Sequence, residues 1–132
     1  MSEENVEVLR GVYQEWAKGN MKAGADLLDP YIVYVNRPGL VEAATCYGLE
    51  AMQRWMRDFL AAWTNYRAHA TEFLEAGDSV VVAVQQKAVG VGSGVPVEIE
   101  IFHVWTFRAA RVIRLESIVE RGEALEATGL SE

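Results

Sequence analysis

Val97-Glu98-Ile99-Glu100-Ile101-Phe102-His103-Val104-Trp105-Thr106-Phe107, followed after Arg108-Ala109-Ala110 by Arg111-Val112-Ile113-Arg114-Leu115-Glu116-Ser117-Ile118-Val119-Glu120, is the stretch from which the fold can be read. Successive side chains of a strand point to opposite faces of a sheet, so Val97, Ile99, Ile101, His103, Trp105 and Phe107 share one face. Glu98, Glu100, Phe102, Val104 and Thr106 share the other. In the second run Leu115, Ser117 and Val119 alternate with Glu116, Ile118 and Glu120. The two runs predict an antiparallel hairpin whose register keeps the apolar faces together. A three-residue connection over 108–110 puts His103 opposite Leu115 and Ile101 opposite Ser117, whereas a two-residue connection puts His103 opposite Glu116 and mixes the faces. The first register is therefore expected, with His103 and Ser117 as polar groups on an apolar face and the four glutamates solvated on the other.

The same period of two extends outward. Residues 65–75, 79–90, 95–107 and 111–121 read as strands, divided by the turn signals Gly77-Asp78, Gly90 to Gly94 and Arg108 to Arg111. Gly90-Val91-Gly92-Ser93-Gly94 is a hairpin connection, since a phosphate loop needs a following helix and a Walker lysine. A shorter strand is expected at Tyr31–Asn36. Ahead of these strands the spacing is helical. Ser2 can cap a first helix carrying Leu9, Val12, Tyr13 and Trp16, which Gly19 ends. Asn20 can cap a second that stops near Asp29-Pro30. A third, from Gly48 to Trp63, carries the apolar stripe Leu49, Met52, Trp55, Met56, Phe59, Leu60 and Trp63, read as core packing of which part can roof a cavity. A short helix stopped by Gly129 closes the chain. Three helices followed by a long strand meander predict an α+β fold, with N-terminal helices packed on one face of a strongly curved antiparallel sheet.

Composition limits the partners. The 132 residues fit a single domain, 1–132, large enough to bury a core without a disulfide or a metal. A net charge of −7 repels phosphate backbones and anionic lipid, so neither nucleic acid nor membrane is an expected partner. Met1-Ser2-Glu3-Glu4 leads into no unbroken apolar run, so no signal peptide is expected and a cytoplasmic location is. Cys46 is the only cysteine and the two histidines, His69 and His103, are far apart, which argues against a disulfide and against a Cys/His metal cluster. His69 reads as a solvated strand residue.

The order of elements, together with Trp16-Ala17-Lys18-Gly19-Asn20, Leu27-Leu28-Asp29-Pro30, Tyr47-Gly48-Leu49-Glu50-Ala51, Glu75-Ala76-Gly77-Asp78, His103-Val104-Trp105-Thr106-Phe107 and Glu123-Ala124-Leu125-Glu126-Ala127, resembles the SnoaL-like polyketide cyclase branch of the nuclear transport factor 2-like superfamily. Ala109-Ala110 departs from it, because relatives usually carry Asp-Gly there. The resemblance implies a cone-shaped sheet with an internal pocket that different members use for isomerisation, cyclisation, hydration, epoxide opening or binding, so it does not settle function. In the ketosteroid isomerases, similar in layout, a strand Asp is the base and a helix Tyr and a strand Asp hold the oxyanion; the matching positions are Asn36, Val12 and His103. An amide takes no proton at neutral pH and Val12 donates no hydrogen bond, which removes that mechanism. Tyr34-Val35-Asn36-Arg37-Pro38 is similar to the Tyr-x-Asn-x-Pro segment of the limonene epoxide hydrolases, but Ser117 and the neighbourhood of Gln85 and Gln86 stand where their Asp-Arg-Asp unit belongs.

Four polar residues remain: Tyr34, Asn36, His103 and Ser117. They are expected around one pocket roofed by Trp16, Trp55 and Phe59, taking a small apolar organic ligand without a cofactor. The favoured reading is noncatalytic binding or an undemanding reaction. The alternative is a cyclase, isomerase or lyase with His103 as general acid–base and Tyr34 and Asn36 orienting substrate or water; the competing role for His103 is a hydrogen-bonded core residue. Phe102, Val104 and Ile118, clustered on the convex face, are expected to be the interface of a symmetric homodimer, as relatives usually pair through this face.

Overall fold

The computed structural model describes residues 2–37 and 43–130. The Ser2 side chain, expected as a helix cap, and Pro38 lie outside that description. The elements are α1 (Ser2–Ala17), a 3-10 turn (Ala25–Leu27), β1 (Leu28–Asn36), β2 (Ala44–Tyr47), α2 (Leu49–Ala61), β3 (Trp63–Ala76), β4 (Ser79–Gly90), β5 (Pro96–Arg108), β6 (Arg111–Ile118) and α3 (Arg121–Glu126). The strands form one sheet in the order β2-β1-β6-β5-β4-β3. The α+β class, the N-terminal helix on a curved sheet and the long strands agree with the sequence. Two irregularities in the β3–β4 pairing, between Thr64 and Arg67 and between Ala70 and Glu72, mark bulges, which increase the local twist and curl the sheet.

The structure corrects several expectations. No second helix forms over 20–29. Gly19 and Gly24 have φ of 95° and 88°, which breaks the helical path, and the segment closes tight turns such as Leu27 N to Gly24 O at 3.0 Å. Its anchor is the Trp16 indole, which donates to the Ala23 carbonyl at 3.0 Å. The third helix stops at Ala61, so Trp63 opens β3. The strand β2 was not anticipated, and it pairs antiparallel with β1, Tyr34 opposite Cys46. The sheet is mixed, because β1 runs parallel to β6.

The register of β5 and β6 also differs. His103 lies opposite Ser117 and Trp105 opposite Leu115, each two residues further along β6 than expected. The connection is the two-residue turn Ala109-Ala110, both at positive φ (51° and 67°), as a type I′ hairpin requires. The pairs Thr106–Arg114 and Phe107–Val112 leave Ile113 as an extra residue in β6. This bulge restores the parity that a two-residue turn would have lost, so the apolar faces still meet.

Two cores result, one on each face of the sheet. On the concave face Leu9 and Tyr13 of α1 pack with Ile32, Val80, Val82, Val84, Trp105 and Phe107. On the convex face Phe102, Val104 and Ile118 pack with Val81, Ala83 and Ala124 of α3. These three residues were expected to be an exposed dimer patch. They are 3%, 3% and 0% exposed, because the chain folds its own C-terminal helix over them. Gly129, at φ 79°, ends that segment as anticipated. Glu98, Glu100 and Glu120 are exposed, but Glu116 is buried, with Arg114 Nε at 2.7 Å and Arg37 Nη2 at 3.1 Å.

Candidate functional site

The stripe on α2 meets the sheet at its edges, Trp55 against Tyr34 and Phe59 against Tyr66, and leaves a space between. Met52 is its one fully buried residue among those described; Trp55, Met56, Phe59 and Leu60 are partly buried and stand over a cavity of about 630 Å³. That volume suits a small organic molecule. The opposite wall is the concave face of the sheet, including Ile99, Ile101, Trp105 and Leu115. Trp55 and Phe59 stack at 5.4 Å, and Trp55 reaches Tyr34 at 5.1 Å, which continues one aromatic surface from helix to sheet.

The polar residues meet on the floor. Asn36 pairs with Ser117 across the parallel β1–β6 ladder, and Ser117 with His103 across the antiparallel β6–β5 ladder. Neighbouring strands are roughly 4.8 Å apart, so the three side chains form a row across three strands. Tyr34 lies one step along, opposite Leu115. All seven residues expected at the pocket, Trp16, Tyr34, Asn36, Trp55, Phe59, His103 and Ser117, line this one cavity.

The sequence reading missed Tyr13. Its hydroxyl lies 2.8 Å from Trp105 Nε1 and 2.6 Å from His103 Nδ1. An indole N–H only donates, so the hydroxyl accepts from Trp105 and its single proton is left for His103 Nδ1. The reverse arrangement would strand the phenolic proton in a buried site. His103 therefore carries its own proton on Nε2, the nitrogen not taken by Tyr13. Burial pushes its pKa down to about 4, which keeps the ring neutral at physiological pH. Burial likewise raises the Tyr13 and Tyr34 phenols and takes Tyr66 to about 12, so all three remain protonated. Tyr66 also lines the cavity and accepts a short hydrogen bond from Gln86.

A family model described as the SnoaL-like domain matches residues 9–115. The chain belongs to the SnoaL-like family. No curated protein sequence matches it significantly. Among solved structures it is similar to an NTF2-like protein of unknown function from Burkholderia pseudomallei, with 20% identity, a TM-score of 0.76 and coverage of 94% of this chain and 96% of that one. A candidate SnoaL-like polyketide cyclase from a Jannaschia species gives 15%, 0.76, 99% and 95%. AclR, a candidate hydroxylase from Streptomyces galilaeus, gives 14%, 0.73, 98% and 98%. At such identities the likeness is one of fold.

Within this SnoaL-like fold the expected correspondences need one amendment. The helix residue that reaches the strand histidine is Tyr13, whereas Val12 packs beneath Gly24, where an added Cβ would lie 3.1 Å from it. A helix tyrosine is thus present, although the strand position that would hold a basic Asp is still Asn36. Of the glutamines, Gln86 faces the cavity while Gln85 points to the convex side and donates to Glu98 at 2.8 Å. The signal for Tyr13 was available in principle: it is the α1 aromatic three residues before Trp16, which shares its face. No group of three or more His, Cys, Asp or Glu able to hold a metal occurs among the described residues, and none of their helices is long and apolar enough to cross a membrane.

Proposed function

We propose that this protein binds a small, largely apolar organic molecule through a carbonyl or similar acceptor oxygen. The observation that carries this reading is the donor row on a largely apolar floor, Asn36, Ser117 and His103, with the His103 Nε2 proton fixed by Tyr13. The walls supply burial, and the row supplies orientation. His103 acts as a hydrogen-bond donor rather than a base, because a neutral ring protonated on Nε2 offers the cavity no lone pair. Among the described residues no Asp or Glu lines the cavity to take over that role.

Fluorescence titration with acetonaphthone and with ethylnaphthalene, its counterpart without the oxygen, tests the reading. The ketone should bind tighter, and His103→Gln or Asn36→Leu should reduce its advantage. Equal affinities, or no binding of either, would sink the proposal.

The alternative is an isomerase, lyase or cyclase reaction in which the same donors stabilise a developing oxyanion. It is favoured by the rigidity of the Tyr13–His103 pair, since preorganised donors need no rearrangement as charge develops. It would show as turnover that His103→Gln abolishes. A cytoplasmic homodimer completes the proposal, with Tyr31 and Tyr47, 88% and 76% exposed on the β1–β2 edge, as the surface offered for pairing in place of the buried convex cluster. Light scattering should give twice the chain mass; a monomeric mass would remove this part.

A further inference from the structure

We propose that the cavity selects ligands that carry a carboxylate or comparable anionic group, held at its mouth by Lys22 and Arg57. The inference rests on the reading of the cavity as a ligand site and adds the chemical class of the ligand. Its basis is a charge asymmetry. The chain has 19 acidic and 12 basic residues, yet among the described residues the cavity wall contains Lys22, Arg37 and Arg57 and no Asp or Glu.

The three cations are not equivalent. Arg37 is compensated, with Glu116 at 3.1 Å and Glu123 at 4.0 Å. Lys22 and Arg57 form no ion pair among the described residues, and of the basic residues without one they are the two on the cavity wall. Both are exposed, as are the wall residues Ala25 and Gln53, whereas Tyr34, Asn36, His103 and Ser117 are buried. Exposure therefore separates a mouth from a floor. The mouth opens between the turn after α1, which carries Lys22, and the solvent side of the α2 stripe, which carries Arg57.

An amphipathic molecule fits this gradient in one orientation. Its acceptor oxygen meets the donor row, its apolar body lies against Trp55, Phe59 and Ile101, and its anionic end stays at the mouth. An anion placed there keeps part of its hydration and gains two uncompensated cations, so it avoids the desolvation that the floor would impose. On the rest of the surface an acidic chain repels the same ligand, which makes the mouth the favourable approach.

The experiment compares phenylbutyrate with phenylbutyramide, which share a body and differ in charge, by quenching of tryptophan fluorescence. Trp16, Trp55, Trp63 and Trp105 all line the cavity and report its occupation. At low ionic strength the carboxylate should bind roughly tenfold tighter, two exposed pairs each contributing a few-fold. At physiological salt the preference should narrow, as the screening length contracts from about 30 Å to about 8 Å. The Lys22→Ala/Arg57→Ala variant should lose the preference. The Lys18→Ala/Arg54→Ala variant changes net charge equally away from the cavity and should keep it. Binding of both compounds with equal affinity, or a preference that persists without Lys22 and Arg57, overturns this inference and leaves the cavity reading standing. Binding of neither overturns both.

Discussion

The Tyr13 hydroxyl lies 2.6 Å from His103 Nδ1, across 90 residues of sequence, and joins the first helix to the floor of the cavity. It also receives the Trp105 indole N–H, so one oxygen satisfies two buried groups. Tyr13→Phe leaves both without a partner and should cost about 1–3 kcal/mol. It should also release the tautomer, moving part of the His103 proton to Nδ1. Urea denaturation measures the first effect and nitrogen-resolved NMR of the imidazole the second. Unchanged stability and an unchanged tautomer would mean that the hydrogen bond does not fix the ring.

The lowered pKa of His103 links stability to pH. With a value of about 4 in the folded chain and about 6.5 unfolded, the unfolded state binds more protons between these values. Stability is therefore complete above about pH 6.5 and declines as pH falls toward 4, by on the order of 3 kcal/mol if the shift acts in full. His103→Gln should flatten this part of the stability–pH curve. A curve equally steep in the variant would assign the acid sensitivity to other groups.

Phe102 offers a test of the second core. With 3% exposure beneath α3, it is a structural residue of the single chain. Phe102→Glu should destabilise the fold by roughly 3–5 kcal/mol, since it removes a buried ring and places a carboxylate among Val81, Ala83 and Ile118. The gentler Phe102→Leu should lower the denaturation midpoint modestly and leave the mass in solution unchanged. Dissociation of a well-folded dimer by Phe102→Glu would contradict this burial.

Ala109 and Ala110 both adopt positive φ, a conformation disfavoured for residues with a Cβ by about 1–2 kcal/mol each. Replacing them with Asn-Gly, the pair that suits a type I′ turn, should stabilise the protein by about 1–2 kcal/mol and raise its melting temperature by roughly 3–6 °C. Calorimetry decides this. No gain would mean that the turn relaxes to another geometry in solution.

Most of the site was legible because it lies on strands. Alternation in Ile99, Ile101, His103 and Trp105 fixes which side chains share a face whatever the neighbour, and Leu115 and Ser117 follow the same rule. That is why His103 and Ser117 reached one cavity even though the expected register was wrong by two residues. The register itself depended on a two-residue turn built from alanines and a bulge at Ile113, and neither has a local signature in those residue types. Residues 20–28 misled in the opposite way. Met21-Lys22-Ala23 favours a helix, but two glycines and the docking of Trp16 on the Ala23 carbonyl decided otherwise.

The sequence by itself determined the fold class, the apolar face and the polar residues on it, because these follow from periodicities that each segment carries alone. It also determined that no acidic residue stands at Asn36 or Ser117. Only the tertiary structure decided three further points: that α3 turns back to cover Phe102, Val104 and Ile118, that the α2 stripe leaves a cavity between itself and the concave face, and that Tyr13 meets His103. Each depends on how far apart two elements stand after the chain has folded. That distance comes from the curvature of the whole sheet and the bulges in it, a property that belongs to no single segment.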